Sequence, residues 1–139
     1  MQLQTHPTIR PTTRSSDDPD SAMWIEAVPT LDPEAPEGSI PSAIHLYVTG
    51  DLDQAATSEV EAAALGAIES GTPLVVIDLA GVLFIDSAGL RSIVRAANAA
   101  EACGVRFLVA GMSGGVERLL QLTGLLERLR RAEEGNSHN

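Results

Sequence analysis

The sequence predicts an α/β fold, a mixed β-sheet of four to five strands with helices packed on it. Two observations predict this class. Short runs of aliphatic residues alternate along the chain with segments whose apolar residues recur at helical spacing. The chain has 139 residues, of which 44% are hydrophobic and only 3% aromatic. This length and composition fit one domain with an aliphatic core.

The first half of the chain predicts two strands and one helix. Ala22–Val28 reads as a strand, a proline-containing loop follows, and Ala43–Thr49 alternates between apolar and polar residues as a second strand does. Asp53 stands just before the first helix, and Gly71 and Pro73 end it. The inward stripe of this helix is expected to contain Ala56, Val60, Ala64, Ala67 and Ile68.

The second half predicts two more strands and at least two helices. Leu74–Leu79 reads as a buried strand, Val82–Ile85 carries the chain to a second helix that runs from about Leu90 to Cys103, and Val105–Ala110 reads as a strand. Cys103 is expected to be a small buried hydrophobe. The inner face of a third helix, which Gly114 opens, is expected to contain Val116, Leu119, Leu120 and Thr123. The segment Leu125–Glu134 fits either a final edge strand or a helix.

The tetrad from Asp86 to Gly89 lies where the strand pattern changes to the helical one. This position puts Ser87 at a helix start, where free backbone N–H groups and a partial positive charge can accept a phosphate. From the residues alone, Ser87 as an N-cap is the simpler interpretation. Asp86 either orients the Ser87 hydroxyl or stabilises the turn.

Three blocks of sequence resemble the STAS family, and within it the bacterial anti-sigma factor antagonists. They are Gly50–Asp53, Phe84–Leu90 and Val116–Leu125, in this order, and the resemblance covers residues 43–132. It implies that Ser87 accepts a phosphate, with Ala88 where relatives often carry a second hydroxyl.

The first of these blocks contributes acidic residues. The resemblance places Asp53 near the acceptor serine, with Asp51 in place of the usual glutamate. As a residue, Asp53 could be only the N-cap of the first helix. Carboxylates beside the serine would increase the electrostatic repulsion at this surface when the serine is phosphorylated.

The resemblance also implies a function without catalysis or a cofactor. An anti-sigma factor antagonist binds an anti-sigma factor serine kinase of the GHKL type and so releases a sigma factor. The kinase phosphorylates Ser87, the complex dissociates, and a PP2C-type phosphatase reverses the change. The expected partner surface centres on the acceptor and includes Gln54, Leu90, Arg91 and Val94. The alternative is a non-switching STAS module, either a scaffold or an accessory subunit of a transport ATPase.

Composition argues against several enzyme classes. The chain has no lysine, which excludes a P-loop and a Schiff-base enzyme. The tetrad lacks the glycine that precedes the serine in a nucleophile elbow, and His45 alternates outward on a strand, away from Ser87. The acidic residues have no accompanying histidine pair, so no metal site is predicted.

Charge and hydropathy limit the kinds of partner that this protein can have and indicate where the domain begins and ends. The net charge is −10, half of it in residues 1–42, and no basic patch suggests direct nucleic-acid binding. No apolar stretch approaches the ~20 residues of a membrane span, so a cytoplasmic bacterial protein is expected. Residues 1–21 and 133–139 are predicted to be disordered tails around a STAS domain at residues 22–132.

Overall fold

The computed structural model describes residues 23–134 of the chain. The predicted N-terminal tail, residues 1–21, lies outside the described residues, as does most of the predicted C-terminal one. Residues 133 and 134 are the exception, because they belong to the last helix. No helix within the described range is long and apolar enough to cross a membrane.

A four-stranded sheet forms the centre of the fold. Its strands are β1 (Met23–Thr30), β2 (Ala43–Leu52), β3 (Leu74–Ile85) and β4 (Arg106–Ala110), and they lie side by side in this order. β1 is antiparallel to β2, whereas β2, β3 and β4 are mutually parallel. The predicted mixed sheet is therefore confirmed, with four strands.

Four helices accompany the sheet. They are α1 (Thr57–Glu69), which a short 3₁₀ turn precedes, α2 (Ser87–Ala102), α3 (Gly114–Thr123) and α4 (Leu125–Glu134). The ambiguous last segment is thus a helix. Helical spacing brings Leu126 and Leu129 onto one face, where both are buried and α4 packs against β4 and α2. In a strand, these two leucines, three residues apart, would have pointed to opposite faces.

The core lies between one face of the sheet and the helices. Alternate residues of β2 and β3 enter it, as their side-chain period of two requires. The predicted inward stripe of the first helix is confirmed, since its four residues in α1 are buried, as is Ala56 in the 3₁₀ turn before it. Alanines on the facing sides allow α1 and α2 to pack closely. The core residues of these elements are Ile44, Leu46, Val48, Val60, Ala64, Val75, Ile77, Leu79, Ile93, Ala96 and Ala97.

The predicted burial of three residues is wrong. Cys103 is exposed because α2 ends at Ala102 and the chain turns at the surface before β4. Leu119 and Thr123 are exposed as well, since α3 has most of its contacts with α4 and buries only Val116 and Leu120. An i, i+4 pair of buried residues is enough for such a narrow contact.

Candidate functional site

The candidate site is built where β2 and β3 end next to each other. The last pairs of the two strands are Asp51 with Phe84 and Leu52 with Ile85. Because the strands are parallel, the loop after β2 and the tetrad after β3 leave the same edge of the sheet. The first two sequence blocks, far apart in the chain, are thereby brought together.

A local irregularity in the pairing of β2 with β3 shapes this edge. The register with β3 shifts between Tyr47 and Thr49 and again between Gly50 and Asp51. Gly50 has a φ of 99°, a conformation that side chains disfavour, and it is buried. Such irregularities re-aim side chains near the end of a strand. β2 itself keeps its regular alternation, with Asp51 exposed and Leu52 fully buried, and the extra residues lie on β3.

Asp86 is the N-cap of α2. Its backbone is extended and its Oδ1 accepts a hydrogen bond of 2.8 Å from the backbone N–H of Gly89. The interpretation of Ser87 as the N-cap is therefore wrong, because the preceding residue already satisfies that helix end. Of the two roles considered for Asp86, the observed hydrogen bond matches stabilisation of the turn.

Ser87 is the first residue of α2 and is exposed. Its hydroxyl makes no hydrogen bond to any residue in the described part of the chain, although other serines of the fold do. Ser92 donates to the carbonyl of Gly89 at 2.6 Å and is 1% exposed, whereas Ser113 caps α3 by accepting from Val116. Ser87 thus combines a helix-start position with a hydroxyl that has no structural task.

Gly89 holds the tetrad against the end of β2. A Cβ built at this position would lie 2.1 Å from the carbonyl oxygen of Leu52, so no other residue fits without moving the backbone. The same carbonyl accepts a hydrogen bond of 3.3 Å from the N–H of Asp86. The start of α2 therefore packs directly on the backbone at the end of β2.

Three carboxylates, those of Asp51, Asp53 and Asp86, belong to the segments that meet at this edge. Asp53 is half-buried, and its Oδ1 accepts from the N–H of Ala55 at 3.1 Å, so that it caps the 3₁₀ turn at Gln54–Ala56. Asp86 caps α2 in the same way. Neither of them, nor Asp51, takes part in an ion pair with a residue of the described range. The site is therefore acidic.

The residues predicted to contact a partner differ in their exposure. Gln54 and Arg91 are exposed, and Val94 and Ala88 are half-buried. Leu90 is only 2% exposed, since it faces inward on α2 together with Ile93. A side chain that is buried in this way cannot contact a partner, so the prediction that Leu90 contacts a partner is wrong for this structure. Arg91, one helical turn after Ser87, lies on the same side of α2 as the acceptor.

Two exposed apolar residues next to the acceptor were not predicted as part of the site. Leu83 is 84% exposed and Phe84 is 54% exposed. The sequence contains a signal that separates them from the core. Gly81 interrupts the apolar run. The run from Leu74 to Ile85 is also more than twice as long as β4, the strand that pairs with β3 on the side away from β2.

The chain belongs to the STAS family. The family model described as "Mlab, STAS domain" matches residues 38–131, which contain the whole candidate site. No curated protein sequence matches the chain. The STAS fold and family predicted from the three sequence blocks are thereby confirmed.

Solved structures with the same fold include anti-sigma factor antagonists. An antagonist from Mycobacterium paratuberculosis is 21% identical, with a TM-score of 0.56 over 74% of this chain and 80% of that one. The Bacillus cell fate determinant SpoIIAA in its phosphorylated form is 20% identical, with a TM-score of 0.52 over 66% of this chain and 83% of that one. A sulfate transporter family protein from Wolinella succinogenes is 21% identical, with a TM-score of 0.57 over 71% of this chain and 82% of that one.

Proposed function

We propose that this protein is an anti-sigma factor antagonist that binds an anti-sigma factor serine kinase, releases a sigma factor, and is switched off by phosphorylation of Ser87. The observation that carries the proposal is the exposed Ser87 hydroxyl, which makes no hydrogen bond within the described residues while Asp86 caps the helix. Phosphorylation would therefore break no hydrogen bond among residues 23–134. The domain would keep its fold and only its surface would change.

The charge around Ser87 supports a switch of this kind. A phosphate adds about −1.5 to −2 charges at pH 7, and a helix N-terminus stabilises negative charge. Arg91, one turn further along α2, is exposed and free to contact it. The helix thus accommodates the phosphate, whereas the surface that already contains Asp51, Asp53 and Asp86 becomes more negative. A partner that fits the unmodified surface would be repelled.

The names of structural neighbours support the same function. The neighbour from Mycobacterium paratuberculosis is called an anti-sigma factor antagonist, and that from Bacillus was solved in a phosphorylated form. The family resemblance at the three sequence blocks supports a kinase of the GHKL type and a phosphatase of the PP2C type as partners. It also supports a cytoplasmic location and a role without enzymatic activity of the protein's own.

Phosphorylation with purified components tests the proposal. Each GHKL-type serine kinase of the source organism, incubated with ATP and this protein, should be screened for transfer of phosphate. We expect one kinase to add a single phosphate at Ser87, mapped by mass spectrometry. Ser87→Ala should abolish it and the matched change Ser113→Ala, at another helix start, should not. Phosphate found only on Ser113, or on none of the serines with any kinase, would contradict the proposal.

A non-switching STAS module is the second candidate. The matching family model has the name Mlab rather than that of an antagonist, and one structural neighbour is a sulfate transporter family protein. In such a module the same edge of the sheet would be a docking surface without modification. Stable co-purification with a transport ATPase, unchanged by Ser87→Asp, would favour this candidate over the switch.

A further inference from the structure

The last part of β3 has no neighbouring strand on the side of β4. The final pair between β3 and β4 is Asp78 with Ala110, whereas β3 continues to Ile85. From Gly81 onward β3 pairs with β2 alone. Among residues 23–134, no backbone hydrogen bond joins this part of β3 to the loop or helix that follows β4. On the side of β4, the backbone of β3 from Gly81 to Ile85 therefore has no hydrogen-bonded neighbour among the described residues.

Two large apolar side chains lie on this part of the strand. Leu83 and Phe84, which we call the apolar step, are 84% and 54% exposed. Val82 and Ile85 on either side of them both pack against the core, and Leu83 is an extra residue of β3 where its register with β2 shifts, so strict alternation does not apply and both side chains face away from the core. Leu83 is the most exposed large hydrophobic residue of the described chain. Contiguous exposed apolar surface of this kind marks sites of interaction.

The charges beside the apolar step decide what kind of partner fits it. Asp51 pairs with Phe84 across the strands and is exposed. Asp53 and Asp86 follow at the same edge, and none of the three is in an ion pair with another described residue. If a second copy docked through this surface about a twofold axis, carboxylates would face carboxylates. The complementary surface is instead an apolar pocket with a basic rim.

We infer that the apolar step is the anchor through which this protein docks on its anti-sigma factor kinase, with Leu83 and Phe84 in an apolar pocket bordered by basic side chains. The inference rests on the function proposed above. Three residues of extended chain span about 10 Å, so an anchor at Phe84 fixes the position of the Ser87 hydroxyl. The step would thus bind the partner and present the acceptor to it.

Matched leucine variants test this inference against the kinase that phosphorylates Ser87. Leu83→Gln removes the most exposed apolar side chain of the step. Leu122→Gln makes the same change at a leucine of α3 that is 76% exposed and distant in sequence from the site. We expect Leu83→Gln to raise the Kd of the unphosphorylated protein about tenfold or more, and Leu122→Gln to leave it within about twofold. Neither variant should change the thermal midpoint, since both residues lie in solvent.

A charge variant adds an independent readout. Asp51→Asn keeps the size of the side chain and removes its charge. We expect slower association with the kinase than for the unaltered protein at low salt, and equal rates at high salt, because steering by exposed charges is screened.

The outcomes separate this inference from the proposed function. If the unaltered protein is phosphorylated on Ser87 and both leucine variants bind equally well, the apolar step is not the anchor, but the switch stands. If Leu83→Gln instead abolishes a dimer seen by sedimentation and leaves kinase affinity unchanged, a second copy occupies the step and the inference is wrong. If no kinase binds or modifies the unaltered protein, both proposals fail together.

Discussion

At the scale of single residues, the neighbours Asp86 and Ser87 differ in what they do for the fold. Asp86 satisfies the N–H of Gly89 at the start of α2, which leaves the hydroxyl of Ser87 without a structural task. A residue that both capped the helix and accepted a phosphate would lose its capping hydrogen bond on modification. This difference predicts different stabilities for variants of the two neighbours.

Paired alanine variants test this difference. Asp86→Ala removes the cap and should lower the free energy of unfolding by about 1 kcal/mol, within the usual range of about 0.5–2 kcal/mol. Ser87→Ala should change it by less than about 0.5 kcal/mol, because no hydrogen bond of the described residues is lost. Urea denaturation followed by circular dichroism measures both. Equal losses for the two variants would show that Ser87 also stabilises the helix start.

At the scale of elements, the site depends on how closely α2 approaches the end of β2. Gly89 is buried against the carbonyl of Leu52, and the same carbonyl accepts from Asp86. The sequence predicted the helix start, but not this contact, because the register between β2 and β3 includes two shifts that no residue pattern announces. The contact explains why a glycine, the poorest helix former after proline, occupies the first turn.

A pair of glycine-to-alanine variants tests this approach. Gly89→Ala would place a Cβ 2.1 Å from the Leu52 oxygen and should destabilise the protein by about 1–3 kcal/mol or more. Gly66 lies inside α1 with nothing within 4 Å of a built Cβ, so Gly66→Ala should stabilise the protein by about 0.5–1 kcal/mol. The same denaturation measurement applies. A neutral or stabilising Gly89→Ala would contradict the observed packing of α2 against β2.

At the scale of the whole molecule, the order and type of the elements before Leu125 could be predicted from local patterns, whereas the type of the last element and the exposure of single residues could not. Aliphatic runs and helical stripes are properties of neighbouring residues, and α1 follows its predicted stripe throughout. Exposure depends on which elements cover a residue. Leu83 and Phe84 belong to an apolar run but remain exposed because Val82 and Ile85 face the core in their place, while Leu90 lies beside the acceptor but faces the core.

The same distinction applies to the site. The three blocks that resemble the STAS family placed Asp51, Asp53 and Ser87 together, and the paired ends of β2 and β3 bring their segments to one edge. From the residues alone, Ser87 was the simpler candidate for the N-cap of α2, although an aspartate caps a helix equally well. Only the hydrogen bond to Gly89 distinguishes them.

The affinity of the kinase for three forms of this protein tests the central claim most directly. The forms are the unphosphorylated protein, the protein phosphorylated on Ser87, and Ser87→Ala, measured by titration calorimetry with the kinase that modifies Ser87. We predict tight binding of the unphosphorylated protein and of Ser87→Ala, and a Kd about tenfold or more higher for the phosphorylated form, because added negative charge meets an acidic surface and a desolvated interface. Equal affinities of all three forms would contradict the account.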